Sequence, residues 1–461
     1  MIGLTEALAQ FIHGKTLQDF PPGALDRAKK GLADTFAVIL AGAGSEVAPP
    51  LWRYVERAGD GGASPILGSG RTASPETAAL VNGTFGHALD FDDVLSMMPA
   101  HPSAVILPAL IADLRAGTLS GRALIEAYVM GVEVGGKIGQ AITVGHYHRG
   151  FHGTGTLAIF SALGALAKRD HLDIPTTRMA FGIASSMASG LQRNFGTMTK
   201  PLHAGWASRS ALAAANLARS GFTAAPDVLE APAGFFAAYG VEDSRPEAAI
   251  EQLGNPWVVA DPGLALKQFP CCYASHRGMD GVLQLRQRLG LNAMNLARLE
   301  CRMPPGGMRV LIYPHPKTGL EGKFSLQYAL AAGILDGQYT LWSFTDEAVN
   351  RVPIRDLLAR VCVREDARCA GDDPLLETRS SGSRGFVEVE ARRSDGRHET
   401  VRVDQAPGHP SRELTWADIA AKFMDCAAQA RIDPGKAKHA LSILERLETC
   451  ADVGEVVALL H

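Results

Sequence analysis

Apolar positions recur at helical spacing from Leu4 to about Gly221, as in Leu25, Ala28, Leu32, Phe36, Ile39 and Leu40. Ser74 followed by Pro75 and Glu76 reads as an N-cap with proline in the first turn, opening a helix toward His87. The run after Pro201 is rich in small residues (Ala204, Gly205, Ala207, Ser208, Ala211) that let neighbouring helices approach closely, so a tightly packed bundle is expected. After Pro262 the pattern changes: Ala297 to Met303 and Phe386 to Val403 alternate with period two, and Ser394-Asp395-Gly396 is a hairpin-turn signal. From Ile419 through Leu460 the helical period returns, so the chain end is expected to pack back on the first domain. The fold class that follows is mainly α. A large all-helical domain covers residues 1–265, joined by C-terminal helices over 413–461, and a smaller α/β (α+β) domain covers 266–412. The stretch Asp366 to Arg384, with its Gly, Ser and Asp, is the expected mobile loop.

Composition narrows the function classes. At 461 residues two domains are the natural expectation, and 46% hydrophobic with 20% charged residues is ordinary globular usage. A formal charge of -3 offers no electrostatic drive toward nucleic acid. The most apolar run, Ala104 to Ala112, contains Pro108 and is shorter than the ~20 residues a bilayer requires, so no membrane segment is expected. Residues Met1 to Lys15 have neither the charge nor the apolar pattern of a targeting peptide, which points to a cytoplasmic protein. Seven scattered cysteines without a CxxC pair suit reduced thiols better than disulfides or a metal cluster.

Candidate chemistry sits in separate segments. His87-Ala-Leu-Asp90-Phe-Asp92-Asp93 places a histidine and three carboxylates at a helix end, and on a helix Asp90 and Asp93 would share a face. His101-Pro102-Ser103 leaves His101 on the loop before a helix, and histidine is the side chain best suited to proton transfer near neutral pH. His146, His148 and His152 fall in a glycine-bearing stretch whose Gly153-x-Gly155 lacks the third glycine and preceding strand of a dinucleotide site, so no cofactor is expected. In Lys200-Pro201, proline is expected to push Lys200 out of the helix that starts just after it, leaving a lysine near a helix start as a carboxylate anchor. His276-Arg277 and Lys323 to Tyr328 add titratable groups among apolar neighbours. Each of these residues, taken singly, has an ordinary structural reading as a solvated acid, a core histidine or a surface lysine.

Together the motifs resemble the MmgE/PrpD family: His87 to Asp93, His101-Pro-Ser103, Gly150-Phe-His152, Thr199-Lys-Pro-Leu-His203, Phe269-Pro270 with His276, and Lys323-Phe-Ser325, in order along nearly the whole chain. The resemblance implies a helical domain with a smaller α/β lid, a homodimer, and catalysis without metal or organic cofactor. Carried over by position, Asp90, His101, His152, Lys200, His276 and Tyr328 form the expected catalytic set, and Lys200, His203, Thr199 and Arg277 the expected substrate contacts. The implied substrate is a small di- or tricarboxylate. Family reactions make or quench negative charge at a carbon beside a carboxylate. The leading expectation is a lyase similar to 2-methylcitrate dehydratase, with epimerisation of an iminodisuccinate-like acid and cis-aconitate-type decarboxylation as alternatives. Decarboxylase-like members tend to carry threonine after the Asp-Phe-Asp-Asp element, where this chain has Val94, while Arg193 to Pro201 resembles the epimerase branch. Two other classes remain: a magnesium-dependent helical enzyme, whose second acidic motif would need Glu where Ala224 stands, and a non-catalytic binding relative.

Overall fold

A computed structural model describes residues 2–59, 61–114, 119–374 and 376–461. It divides into two compact units: residues 1–193, 199–264 and 415–461 in the first, 194–198 and 265–414 in the second. The main elements follow in chain order.

The first unit contains α1 (Ala24–Ala43), a short ribbon of β1 (Ser64–Ile66) and β2 (Arg71–Ala73), α2 (Pro75–Ala88), α3 (Ser103–Ala112), α4 (Gly121–His148, kinked at Thr143), α5 (Ala158–Arg169) and α6 (Thr199–Arg219). The Ser74 side chain accepts from Thr77 N and Pro75 occupies the first turn, as the start of α2 requires. α2 and α6 pack antiparallel: Asn216 Nδ2 lies 3.4 Å from Glu76 Oε1 at one end, and Lys200 Nζ lies 2.9 Å from Asp90 Oδ1 at the other. Between them the backbones nearly touch. A Cβ on Gly205 would lie 2.1 Å from the Leu80 carbonyl oxygen, and one on Gly83 would lie 2.7 Å from Gly205 Cα. Only glycine permits this approach. It draws the C-terminal end of α2 and the N-terminal end of α6 to one place.

The second unit contains α7 (His276–Leu289), β3 (Leu296–Met303), α8 (Leu326–Asp336), β4 (Val361–Glu365), β5 (Val387–Arg393) and β6 (His398–Val403). Its sheet has the order β4-β3-β5-β6, with β3 and β4 parallel and the other pairs antiparallel. β5 and β6 form the expected hairpin, with Val389 opposite Val401 and Gly396 at φ 90° in the turn. Val387, Val389 and Ala391 are buried at alternate positions, the period-two signature of a sheet with one covered face. α7 lies against that face, since a Cβ on Gly281 would meet Val389 Cγ2 at 2.7 Å. The Asp366 to Arg384 stretch forms short 3-10 turns (Ala367–Ala370, Leu376–Thr378 and Ser381–Ser383), with Leu375 outside the described residues.

The chain then returns to the first unit as α9 (Trp416–Gln429), α10 (Pro434–Glu445) and α11 (Gly454–Leu460), with α9 packed on α1. Among the described residues no single helix is long and apolar enough to cross a membrane.

Candidate active site

α2 ends at Ala88, and Asp90 adopts a left-handed backbone with φ 51°, a conformation Asp tolerates better than most residues. This corrects one expectation: Asp90 and Asp93 do not share a helix face, because the turn at Asp90 leaves the helix and sends the three carboxylates to different partners. Asp90 faces Lys200, Asp92 accepts from His87, and Asp93 accepts from Ser103. All three are buried.

His87, in the last turn of α2, donates from Nδ1 to Asp92 Oδ2 at 2.8 Å. His101 lies on the loop before α3, as expected, and its Nδ1 is 2.6 Å from the Asp93 carbonyl oxygen. A carbonyl can only accept, so Nδ1 carries the proton and Nε2 is the basic nitrogen of the neutral ring. That Nε2 lies 3.9 Å from Asp90 Oδ1. The Asp93 carboxyl bonds Ser103 Oγ at 2.5 Å, which in turn contacts Tyr128 Oη at 2.6 Å. Burial, with the Asp92 and Asp34 charges adding, pushes the Asp93 carboxyl up to about 8 against the Ser103 bonds, so near neutral pH it is a protonated group.

Lys200 corrects a second expectation: it lies inside α6, with Pro201 in the first turn, rather than ahead of the helix. First-turn N–H groups have no intrahelical acceptor, so the missing proline N–H costs nothing there, and the buried Asp90 contact holds Lys200 in place. One turn on, His203 Nδ1 meets His152 Nδ1 at 2.9 Å, one ring donating and the other accepting. His152 is fully buried beside the single turn Gly153–Thr156. Burial, then the neighbouring His203 and Lys200, hold His152 well below the usual histidine range. Burial, His87 and Lys200 push His203 down to about 4. Burial likewise lowers His87, against the attraction of Asp92. Burial thus favours the neutral ring at His87, His152 and His203, which stand around the Lys200–Asp90 ion pair.

His87, His101 and His152 can each place a ligating atom within 4.8 Å of the others, as can His87, Asp90, Asp92 and His101. Such donors would suit a borderline divalent ion, but the Lys200 ammonium already supplies positive charge to Asp90 at 2.9 Å. The loop is braced by residues that sequence reading missed. Lys422 on α9 bonds Asp34 Oδ1 and the Phe91 carbonyl oxygen, each at 2.7 Å, and stands 3.7 Å from the Phe91 ring centroid. No local motif marks them, because Asp34 and Lys422 meet only when α9 packs on α1.

The other expected residues divide between the units. Thr199 is exposed at the start of α6. In the second unit, His276 Nε2 lies 3.3 Å from the Cys271 carbonyl oxygen, and the Tyr328 hydroxyl donates to the Ser343 carbonyl, with burial raising its pKa. Arg277 is buried and donates from Nη1 to the carbonyls of Arg384 and Gly385 at 2.7 and 2.8 Å.

The MmgE/PrpD N-terminal domain matches residues 6–247 and the MmgE/PrpD C-terminal domain matches residues 269–449. The second match runs past the structural boundary at residue 414 into helices that belong to the first unit. The chain is 28% identical over 470 residues to a protein named cis-aconitate decarboxylase from Mus musculus, covering 99% of this chain and 93% of the relative. It is 28% identical over 469 residues to the protein of that name from Homo sapiens, covering 99% and 94%. It is 26% identical over 490 residues to that from Aspergillus terreus, covering 100% and 96%.

Proposed function

The chain belongs to the MmgE/PrpD family, and on that premise we propose that it is a lyase acting on a small tricarboxylate of the cis-aconitate type, releasing carbon dioxide. The observation that carries the reading is the buried Lys200–Asp90 pair at 2.9 Å, with the basic nitrogen of His101 3.9 Å from the same carboxylate oxygen. That arrangement supports a mechanism in which a fixed positive charge works beside a proton carrier. Full-length likeness to proteins named cis-aconitate decarboxylase supports the substrate class.

In such a reaction the bond to a carboxylate on an allylic carbon breaks and carbon dioxide leaves. The electron pair moves through the adjacent double bond to the carbon beside a remaining carboxylate, and a proton is delivered there. One proton enters and one carbon dioxide departs, so the reaction needs no oxidant. Lys200 stabilises the negative charge that spreads onto that carboxylate, a preorganised electrostatic effect that needs no reorganisation at the moment of reaction. Asp90 holds the ammonium in position. His101, charged through Nε2, delivers the proton and regains one from solvent. His152, kept neutral by burial and its charged neighbours, offers hydrogen bonding without adding a second cation.

Dehydration of a hydroxy-tricarboxylate is the second reading, favoured by the buried apolar Val94 next to Asp93. There neutral His101 would remove the proton beside the carboxylate. Incubation with cis-aconitate, citrate and 2-methylcitrate in D₂O, followed by NMR, separates the readings. Loss of cis-aconitate with one deuterium in the product beside a carboxylate is the expected result. New olefinic signals from a hydroxy acid would move the assignment to dehydration, exchange without net loss would move it to epimerisation, and no change in any acid would overturn the lyase reading.

A further inference from the structure

We propose that His87 is a positioning residue for His101, acting through Asp92. The His87 ring is enclosed in the last turn of α2, and its Nδ1–H donates to Asp92 Oδ2 at 2.8 Å. The same Oδ2 lies 3.5 Å from His101 Nδ1, and the two rings are 4.3 Å apart between centroids. One carboxylate oxygen thus stands between two imidazole N–H groups, held closer to His87. The other ring nitrogen of His87, Nε2, is buried and has no hydrogen-bond partner among the described residues, so the bond to Asp92 is the attachment that orients the ring.

The physical consequence concerns His101. While His87 donates to Asp92, the carboxylate is drawn away from His101, whose Nδ1–H stays with the Asp93 carbonyl. Without that donor, Asp92 turns to His101 Nδ1, and an anion bonded there stabilises the imidazolium. Among the described residues, the charged and titratable groups facing His101 are Asp90 at 3.9 Å, Asp92, Asp93 through its carbonyl at 2.6 Å, His87, His152 at 6.2 Å between rings, and Lys200 through Asp90. Asp92 is the one among them whose direction a change at His87 resets.

The kinetic part rests on the role given to His101 above; the spectroscopic part does not. His87→Asn keeps an N–H near the Nδ1 position, and His87→Ala removes it. In ¹⁵N-histidine-labelled free enzyme, the His101 titration is expected to move up by about one pH unit in His87→Ala, roughly tenfold in the protonated fraction, and to stay in place in His87→Asn. The limb of the kcat profile that follows His101 should move the same way, with KM little changed, and His87→Asn should restore it. An unmoved His101 titration in folded His87→Ala, or a His87→Asn as impaired as His87→Ala, would overturn the proposal. If His87→Ala does not fold, Asp92→Asn serves instead: it should lower the His101 titration, and an unchanged one overturns the idea. A wild-type enzyme inert toward every tricarboxylate would sink the lyase reading while the titration still tests His87.

Discussion

Two regions of this molecule use the same residue types in opposite settings. On the sheet of the second unit, Arg302 meets Glu300 at 3.0 Å and Glu390 at 2.6 Å, and Arg364 meets Glu300 at 3.0 Å, so each charge has several partners in a partly solvated ladder. At the meeting of α2 and α6, Asp90 and Lys200 are 4% and 5% exposed. Water screens the first arrangement and its members can exchange partners; the second has neither relief. The second arrangement depends on the backbone, since the close glycine contact between α2 and α6 lets the helix ends that carry the pair meet.

The sharpest way to break this contrast is Lys200→Ala. It should lower kcat/KM by about a thousandfold or more, the scale of losing one preorganised charge. It should also lower the melting temperature, because the buried Asp90 carboxylate loses the cation 2.9 Å from it. Steady-state kinetics with near wild-type turnover would remove the distinction. Next, Gly205→Val places a side chain against the Leu80 carbonyl and is expected to destabilise by about 3 kcal/mol in urea unfolding, if the protein folds. Gly281→Ala in the other unit meets the side chains of Val389 at 2.7 Å and Val403 at 3.4 Å rather than backbone and should cost less, about 1–2 kcal/mol.

Asp93 gives the third test. Its folded pKa of about 8 lies above the unfolded value of about 3.9, so it contributes stability that is complete below pH 4 and is lost as pH rises toward 8. Asp93→Asn mimics the protonated carboxyl. Thermal melts should show wild type losing stability relative to the variant between pH 5 and 8, on the order of 4 kcal/mol; parallel curves would show that Asp93 is ionised throughout. The smallest effect is expected for Arg288→Ala, which removes a 2.9 Å contact to Glu399 from an exposed position and should change unfolding by less than about 0.5 kcal/mol.

Much of the fold was legible because local chemistry dictates it. The Ser74-Pro75 helix start and the hairpin around Asp395-Gly396 depend on residues adjacent in sequence. The failures were also local rules, overridden by tertiary contacts. The residue before a proline avoids helix, yet Lys200 is helical because its Nζ is held by Asp90 across the α2–α6 contact. Helical spacing predicted a shared face for Asp90 and Asp93, but the left-handed turn at Asp90 ended the helix first. Val94 inclined the substrate reading toward dehydration, whereas the matched relatives bear the name cis-aconitate decarboxylase.

The sequence by itself determined the supply of parts: the helical and alternating periods, the small residues of α6, and the histidines, acids and lysine in family-like order. Tertiary structure decided their chemistry. Asp90, His101, His152, Lys200 and His203 belong to four separate segments, and nothing in their spacing sets the distances among them. Their proton affinities depend on burial and on charges a few ångströms away, quantities that exist only once α2, α6 and the loop between α2 and α3 have closed around them.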